Sequence, residues 1–239
     1  MENIVIHGTY FTSKNVNEVE FHEDHLICID RSGTITRTLS PVDAEYSQIL
    51  NDARQAGRLI ELKPNQYLLP GFIDLHVHAP QWPQAGLALD LPLADWLNHY
   101  TFPLEAKFAD SHYARRVYQD FVHQLLSHGT TTAMMFGTIH NDANVELARQ
   151  SVTQGLRAFV GQVVMDNPEQ TPDYYRNQSS VSALHATEQF IKEIFELAKK
   201  TSSTVVPVIT PRFVPSCTDE ALTGLGQLAK QYDLPVQSH

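Results

Sequence analysis

His76 and His78, one residue apart in LPGFIDLHVH, are the first residues of this chain whose type and spacing could do chemistry. In an extended strand, side chains two positions apart share a face, so Asp74, His76 and His78 point the same way. Two imidazoles one pleat apart can converge on a single metal ion, with bonds of about 2.0–2.1 Å. The alternative is a pair of core histidines satisfied by hydrogen bonds. His239 closes another short apolar run, PVQSH, and a histidine at the mouth of a strand can also hold a metal. Cys28 and Cys217 lie far apart and form no metal or redox motif. Cysteines so placed fit a reducing, cytoplasmic setting.

These strand ends need a scaffold, and residues from 69 onward alternate regularly enough to supply one. LPGFIDLHVH, TTTAMMFG, RAFVGQVV, STVVPVITP and PVQS read as strands. Between them lie four stretches with apolar residues at helical spacing. Val117, Phe121, Val122 and Leu125 share one face of the first, which Gly129 stops. Phe190, Ile191, Ile194, Phe195 and Leu197 mark the third. Thr218 is the expected N-cap of the fourth, with two acids in its first turn. Apolar strands alternating with amphipathic helices predict a parallel α/β sheet with helices outside. An open doubly wound sheet and a (β/α)8 barrel both fit. A glycine-rich nucleotide fingerprint would favour the first, and neither GxGxxG nor GxxxxGK[ST] occurs. In a barrel, chemistry gathers at the C-terminal strand ends. Those ends carry His76, His78, Gly137, Asp166, Arg212 and His239.

Residues 1–68 have another texture. IVIHGTYF and HLICID read as strands, and RSG as a hairpin turn into TITRT with Gly33 left-handed. SQILNDARQAG reads as a short helix, and RLIELKPNQYLL as strand with a turn at Lys63-Pro64-Asn65. So thin a sheet cannot close a core by itself and is expected to need strands from elsewhere in the chain or from another chain.

The composition, 42% hydrophobic and 18% charged over 239 residues, is that of a globular protein. A net charge of −10 without a Lys/Arg cluster argues against nucleic-acid or anionic-membrane partners. No apolar run approaches the roughly 18 residues of a membrane helix. MENIVIHGTYF, with acidic Glu2 and a brief apolar stretch, reads as a strand start and not a signal peptide.

LPGFIDLHVHAPQ resembles PGxIDxHxH, the first-strand signature of the amidohydrolase superfamily. Its members are metal-dependent hydrolases on a (β/α)8 barrel, with a small β-sandwich built from both chain ends. HAPQ, LDLPLADWLNHYTFPLE, FGTIH, TPRFVPSCTDEAL and QSH follow in order over residues 70–239. These blocks narrow the resemblance to the guanine-deaminating branch. The resemblance implies that residues 1–68 begin the sandwich and that 69–239 form the first five of eight barrel strands. It implies His76, His78 and His239 as metal ligands, Gln81 as a substrate-amide partner, and Arg212 with Phe213 as a purine clamp. Physical chemistry permits each role. A guanidinium offers planar paired donors to the O6/N7 edge of guanine. A phenyl ring can stack on a purine, and a carboxamide both donates and accepts. The implied cofactor is zinc, with iron accepting the same ligand types. The implied partners are guanine as substrate and a second copy in a full-length homodimer. The strand TVVPVIT lacks the bridging lysine of binuclear members, which points to one ion per site. The HxE and PCxxC signature of the other zinc deaminases is absent.

The reaction so implied is hydrolysis of guanine to xanthine and ammonia, with a metal-activated water attacking C2. In that branch an acid/base glutamate lies three residues past the third histidine, with a further histidine and aspartate on strands six and eight. All three fall beyond residue 239. The expectation is therefore that this chain holds no catalytic acid/base residue. Alone it should be inactive and marginally stable, and bind metal weakly at best. Two rival readings stand beside this one. The first is another mononuclear amidohydrolase, of adenosine or chlorohydrolase type, against which TPRF with HAPQ argues. The second is a non-catalytic remnant that binds a partner.

Overall fold

The N-terminal strands run longer than their apolar stretches. The computed structural model describes residues 2–239; Met1, the first residue of the expected sandwich segment, lies outside the described residues. Strands β1 (Glu2–Asn15) and β2 (Glu18–Asp30) form one antiparallel hairpin. EVEFHED at residues 18–24 carries four acids, and its Val19 and Phe21 are exposed. Ladder pairing with β1 extends the strand through it, because backbone hydrogen bonds do not depend on side-chain polarity. Strand β3 (Ile35–Leu39) pairs with β2 across a turn where Gly33 sits at φ +83°. There the Asp30 carboxylate accepts hydrogen bonds from the Ser32 and Thr34 amides. Helix α1 (Tyr46–Gln55) follows, then β4 (Leu59–Glu61) and β5 (Tyr67–Leu68), both parallel to β1. Val5, Leu26, Cys28, Leu39, Tyr46 and Ala53 bury a small core of this unit, which ends at Pro70.

The second compact unit, Gly71–His239, is the α/β part. Strands β6 (Phe72–His78), β7 (Thr130–Phe136), β8 (Arg157–Val164) and β9 (Val205–Pro211) lie parallel in that order. The link from β6 to β7 is more structured than a loop. It holds a 3₁₀ turn (Ala79–Gln84), α2 (Leu93–Trp96), a π-helical turn (Leu97–Thr101), α3 (Phe102–Ala106) and then α4 (Ser111–Ser127). Helices α5 (Asn141–Gln154), α6 (Ser180–Ala198) and α7 (Asp219–Tyr232) complete the series. Three of the four long helices, all but α5, begin at a side-chain cap. Asp110 accepts from the His112 and Tyr113 amides, Ser179 and Ser182 form a capping box, and Thr218 accepts from the Ala221 amide. Phe121, Met135, Leu147, Val160, Phe190 and Ile194 belong to one buried cluster joining sheet and helices. Each such side chain contributes about 1.5–3 kcal/mol by leaving water.

The register brings the strand ends level. His78 lies opposite Phe136, and Phe136 opposite Gly161. Gly137 must be glycine-sized, since a Cβ there would collide with Asn144 Oδ1 and the Gly161 carbonyl. The expected fifth strand, PVQS, joins β9 through a single parallel bridge between Val236 and Ile209. The Ile209 amide donates to the Pro235 carbonyl, and the Gln237 amide donates to the Ile209 carbonyl. Pro235 has no N–H to lengthen this ladder. Among the described residues no helix is long and apolar enough to cross a membrane.

Candidate metal centre

Alternation along β6 puts His76 and His78 on one face, and the Val236 bridge brings His239 to the same place. One ligating nitrogen from each of the three lies within 4.8 Å of the others. The His78 and His239 Nε2 atoms are 3.0 Å apart. Two nitrogens on one tetrahedral ion with ordinary bond lengths sit about 3.3 Å apart, so the spacing is close to that of a shared ligand pair. Phe136, fully buried, supports the rings. It stacks on His78 at 4.4 Å and His239 at 4.9 Å, and meets His76 at 4.9 Å with a tilt. Asp74 turns back and accepts a hydrogen bond from the His76 amide.

The charge state suits cation binding. The His78 pKa is pushed down to about 2, first by burial and then by the positive fields of Arg212, His239 and His76. Burial also lowers His239, although a hydrogen bond to the Arg212 backbone opposes it. Both rings are neutral at pH 7, with lone pairs free to coordinate. His78 Nδ1 is buried without a hydrogen-bond partner. The donor set is three imidazoles with no thiolate, a set that zinc accepts.

Beside the histidines opens a cavity of about 810 Å³, lined by His78, Gln81, Phe102, Arg212, Phe213 and His239 among others. Gln81 comes from the 3₁₀ turn after β6, and Arg212 and Phe213 follow the end of β9. The structure therefore gathers the six residues singled out by the resemblance. Five line one cavity, and His76 joins through its ring contact with His239 at 5.3 Å. Phe213 is half exposed at the cavity, while Arg212 is buried. Asp166 does something else. Its carboxylate accepts from the Thr218 amide and hydroxyl, tying the segment after β8 to the start of α7.

Glu105 and Phe136 escaped the sequence reading as functional residues. Glu105, fully buried on α3, accepts hydrogen bonds from Arg212 Nη1, from Arg212 Nη2 at 3.0 Å, and from Gln81 Nε2 at 3.0 Å. The Arg212 guanidinium also lies over the Phe102 ring at 5.1 Å. Burial works against the Arg212 charge, but Glu105 more than offsets it, and the guanidinium pKa is raised. The sequence does hold a signal for Glu105. Phe102, Glu105 and Phe108 recur every third residue, so an acid occupies an otherwise apolar face, and a buried acid demands a cation.

The amidohydrolase family model matches residues 67–239. A protein from Schizosaccharomyces pombe named probable guanine deaminase is 46% identical over 221 residues, covering 92% of this chain and 40% of that protein. Guanine deaminase from Rattus norvegicus is 38% identical over 236 residues, covering 99% of this chain and 51% of that protein. A solved structure of guanine deaminase from C. acetobutylicum with guanine in its active site superposes with a TM-score of 0.86 at 35% identity. That match covers 99% of this chain and 52% of the other. The chain spans about half the length of the curated relatives it matches.

Proposed function

The chain belongs to the amidohydrolase family, and from that premise we propose that it carries the metal ligands and purine-recognising residues of an enzyme that hydrolyses guanine to xanthine and ammonia. The observation that carries the reading is the opening of three converged imidazoles and an arginine–glutamine wall onto one cavity. The guanine-bound relative, similar over nearly the whole chain, supports the choice of base.

His76, His78 and His239 would hold one zinc ion, and iron accepts the same ligands. When bound, the ion supplies a water ionisable near pH 7 instead of about 15.7. The remaining roles belong to this chain's own side chains. Neutral His78 and His239 present lone pairs, and Phe136 fixes their ring planes. Arg212 and Gln81 orient the purine edge, Phe213 stacks on its face, and Phe102 helps exclude water. Proton transfer is assigned to no residue of this chain.

The test is a substrate panel on the whole gene product, with metal content measured on the same sample. Loss of guanine absorbance with xanthine formation, and little turnover of adenine, adenosine or chlorotriazines, is the expected result. Turnover of another panel member in preference to guanine would refute the assignment.

A further inference from the structure

We propose that Glu105 is a positioning residue that sets the hydrogen-bond polarity of the cavity wall, making it complementary to a 6-oxo and hostile to a 6-amino purine. The inference deepens the guanine reading and rests on it.

A carboxylate only accepts hydrogen bonds. Glu105 therefore fixes which end of the Gln81 carboxamide faces it. The Nε2 group donates to Glu105 at 3.0 Å, and Oε1 is left as the free acceptor. The same carboxylate takes one N–H from each terminal nitrogen of Arg212, holding the guanidinium in a forked pair. Arg212 Nη1 also meets Met165 Sδ at 4.0 Å, and arginine has no acceptor at all, so any hydrogen bond it makes into the cavity is a donated one. Both partners line the cavity beside the histidines. The wall thus offers an acceptor and a donor in a fixed order.

A cyclic amide edge, ring N–H next to C=O, meets that pair correctly. A ring nitrogen next to C–NH2 presents the same roles in reverse order. Held in one orientation, it sets donor against donor and lone pair against lone pair. Discrimination of this kind is large, because the mismatched groups are left buried and unpaired. Ion pairing by itself gives little reason to bury Glu105, since a buried pair is weak evidence for stability. Tyr175 and Tyr118, near the same carboxylate, are fully buried with pKa values raised first by burial and then by Glu105, so neither phenol competes as a base.

Guanine and 2,6-diaminopurine carry the same 2-amino leaving group and differ at the edge this wall reads. The experiment measures kcat/KM for both on the whole gene product and on Glu105→Gln and Glu105→Asp, with metal content and thermal melting checked for each. Wild type is expected to favour guanine by on the order of 10²-fold or more. In Glu105→Gln, residue 105 can both donate and accept and Gln81 can turn over, so the ratio is expected to fall at least about tenfold, chiefly through KM for guanine. Glu105→Asp, which keeps the acceptor-only charge, is expected to restore much of the ratio. A merely structural role would lower both activities together and leave the ratio unchanged. An unchanged ratio in folded, metal-loaded Glu105→Gln overturns the inference while leaving the guanine reading intact. Should that variant not fold, a wild-type ratio near one or an Asp variant with a collapsed ratio overturns it equally. Wild-type protein inactive on both bases refutes the substrate reading instead.

Discussion

The histidine face and the Arg212–Gln81 wall border the same cavity but are built by different physics. The histidine face is made by secondary structure. Strand alternation aligns His76 with His78, one parallel bridge delivers His239, and a buried phenyl ring carries all three. The wall is made by a charge. Gln81 and Arg212 are 131 positions apart in sequence, and both are held by one buried carboxylate from a third segment. The first arrangement tolerates any substitution that keeps the rings in place. The second depends on the buried ion pair between Glu105 and Arg212.

If this contrast is right, the largest effect should come from removing a histidine, and it should be local. In the whole gene product, His78→Ala is expected to abolish stoichiometric metal and reduce activity by more than the roughly 10²-fold that an outer partner is worth. The Ala variant should keep its fold, since β6 keeps its ladder with β7. Metal analysis with circular dichroism checks this. Retained metal would mean that the three rings are a packed stack and not a ligand set.

The wall should fail differently. Glu105→Ala leaves the Arg212 charge buried and unpaired, which costs about 3–5 kcal/mol when one partner of a buried pair is lost. Replacing both, as Glu105→Leu with Arg212→Met, should recover most of that stability without recovering activity. Denaturant unfolding of the single and double variants measures both outcomes. A single variant as stable as wild type would show that Arg212 finds another partner, and the contrast between the two regions would dissolve.

These differences explain what was legible in the sequence. The helices and strands of residues 69–239 follow from apolar periodicity, and the HxH face follows from the two-residue repeat of a strand. Arg212 and Gln81 could be picked out by resemblance, but the residue that organises them could not. Glu105 lies in a run whose helices are short and include a π-helical turn, so only the three-residue spacing of Phe102, Glu105 and Phe108 marks its buried face. The acidic half of the β1–β2 hairpin was missed for a related reason. Its strand character comes chiefly from hairpin pairing with the adjacent β1. PVQS pairs in parallel with β9 where the fifth strand is expected, but through one bridge, and Pro235 has no N–H to lengthen the ladder.

The smallest effect separates the regions by pH. His140 packs near the wall, with its ring 5.8 Å from Tyr175. Its pKa is lowered by burial, against the opposing pull of the Ala106 carbonyl and the Glu105 charge. Above an unfolded pKa of about 6.5 the ring is neutral in both states, and its contribution to stability is fully present. As pH falls below that value, the unfolded chain takes up a proton that the folded chain refuses. Stability is then lost progressively, at up to about 1.4 kcal/mol per pH unit, until the lower folded pKa is reached. His78 and His239 are shifted in the same direction, so total stability cannot assign the slope. The difference between wild type and His140→Gln at fixed metal loading can. That difference should shrink between pH 7 and pH 5, because the variant has no proton to take up in the unfolded state at this position. A difference constant across that range would place His140 in water, and would remove it from the buried polar layer that Glu105 governs.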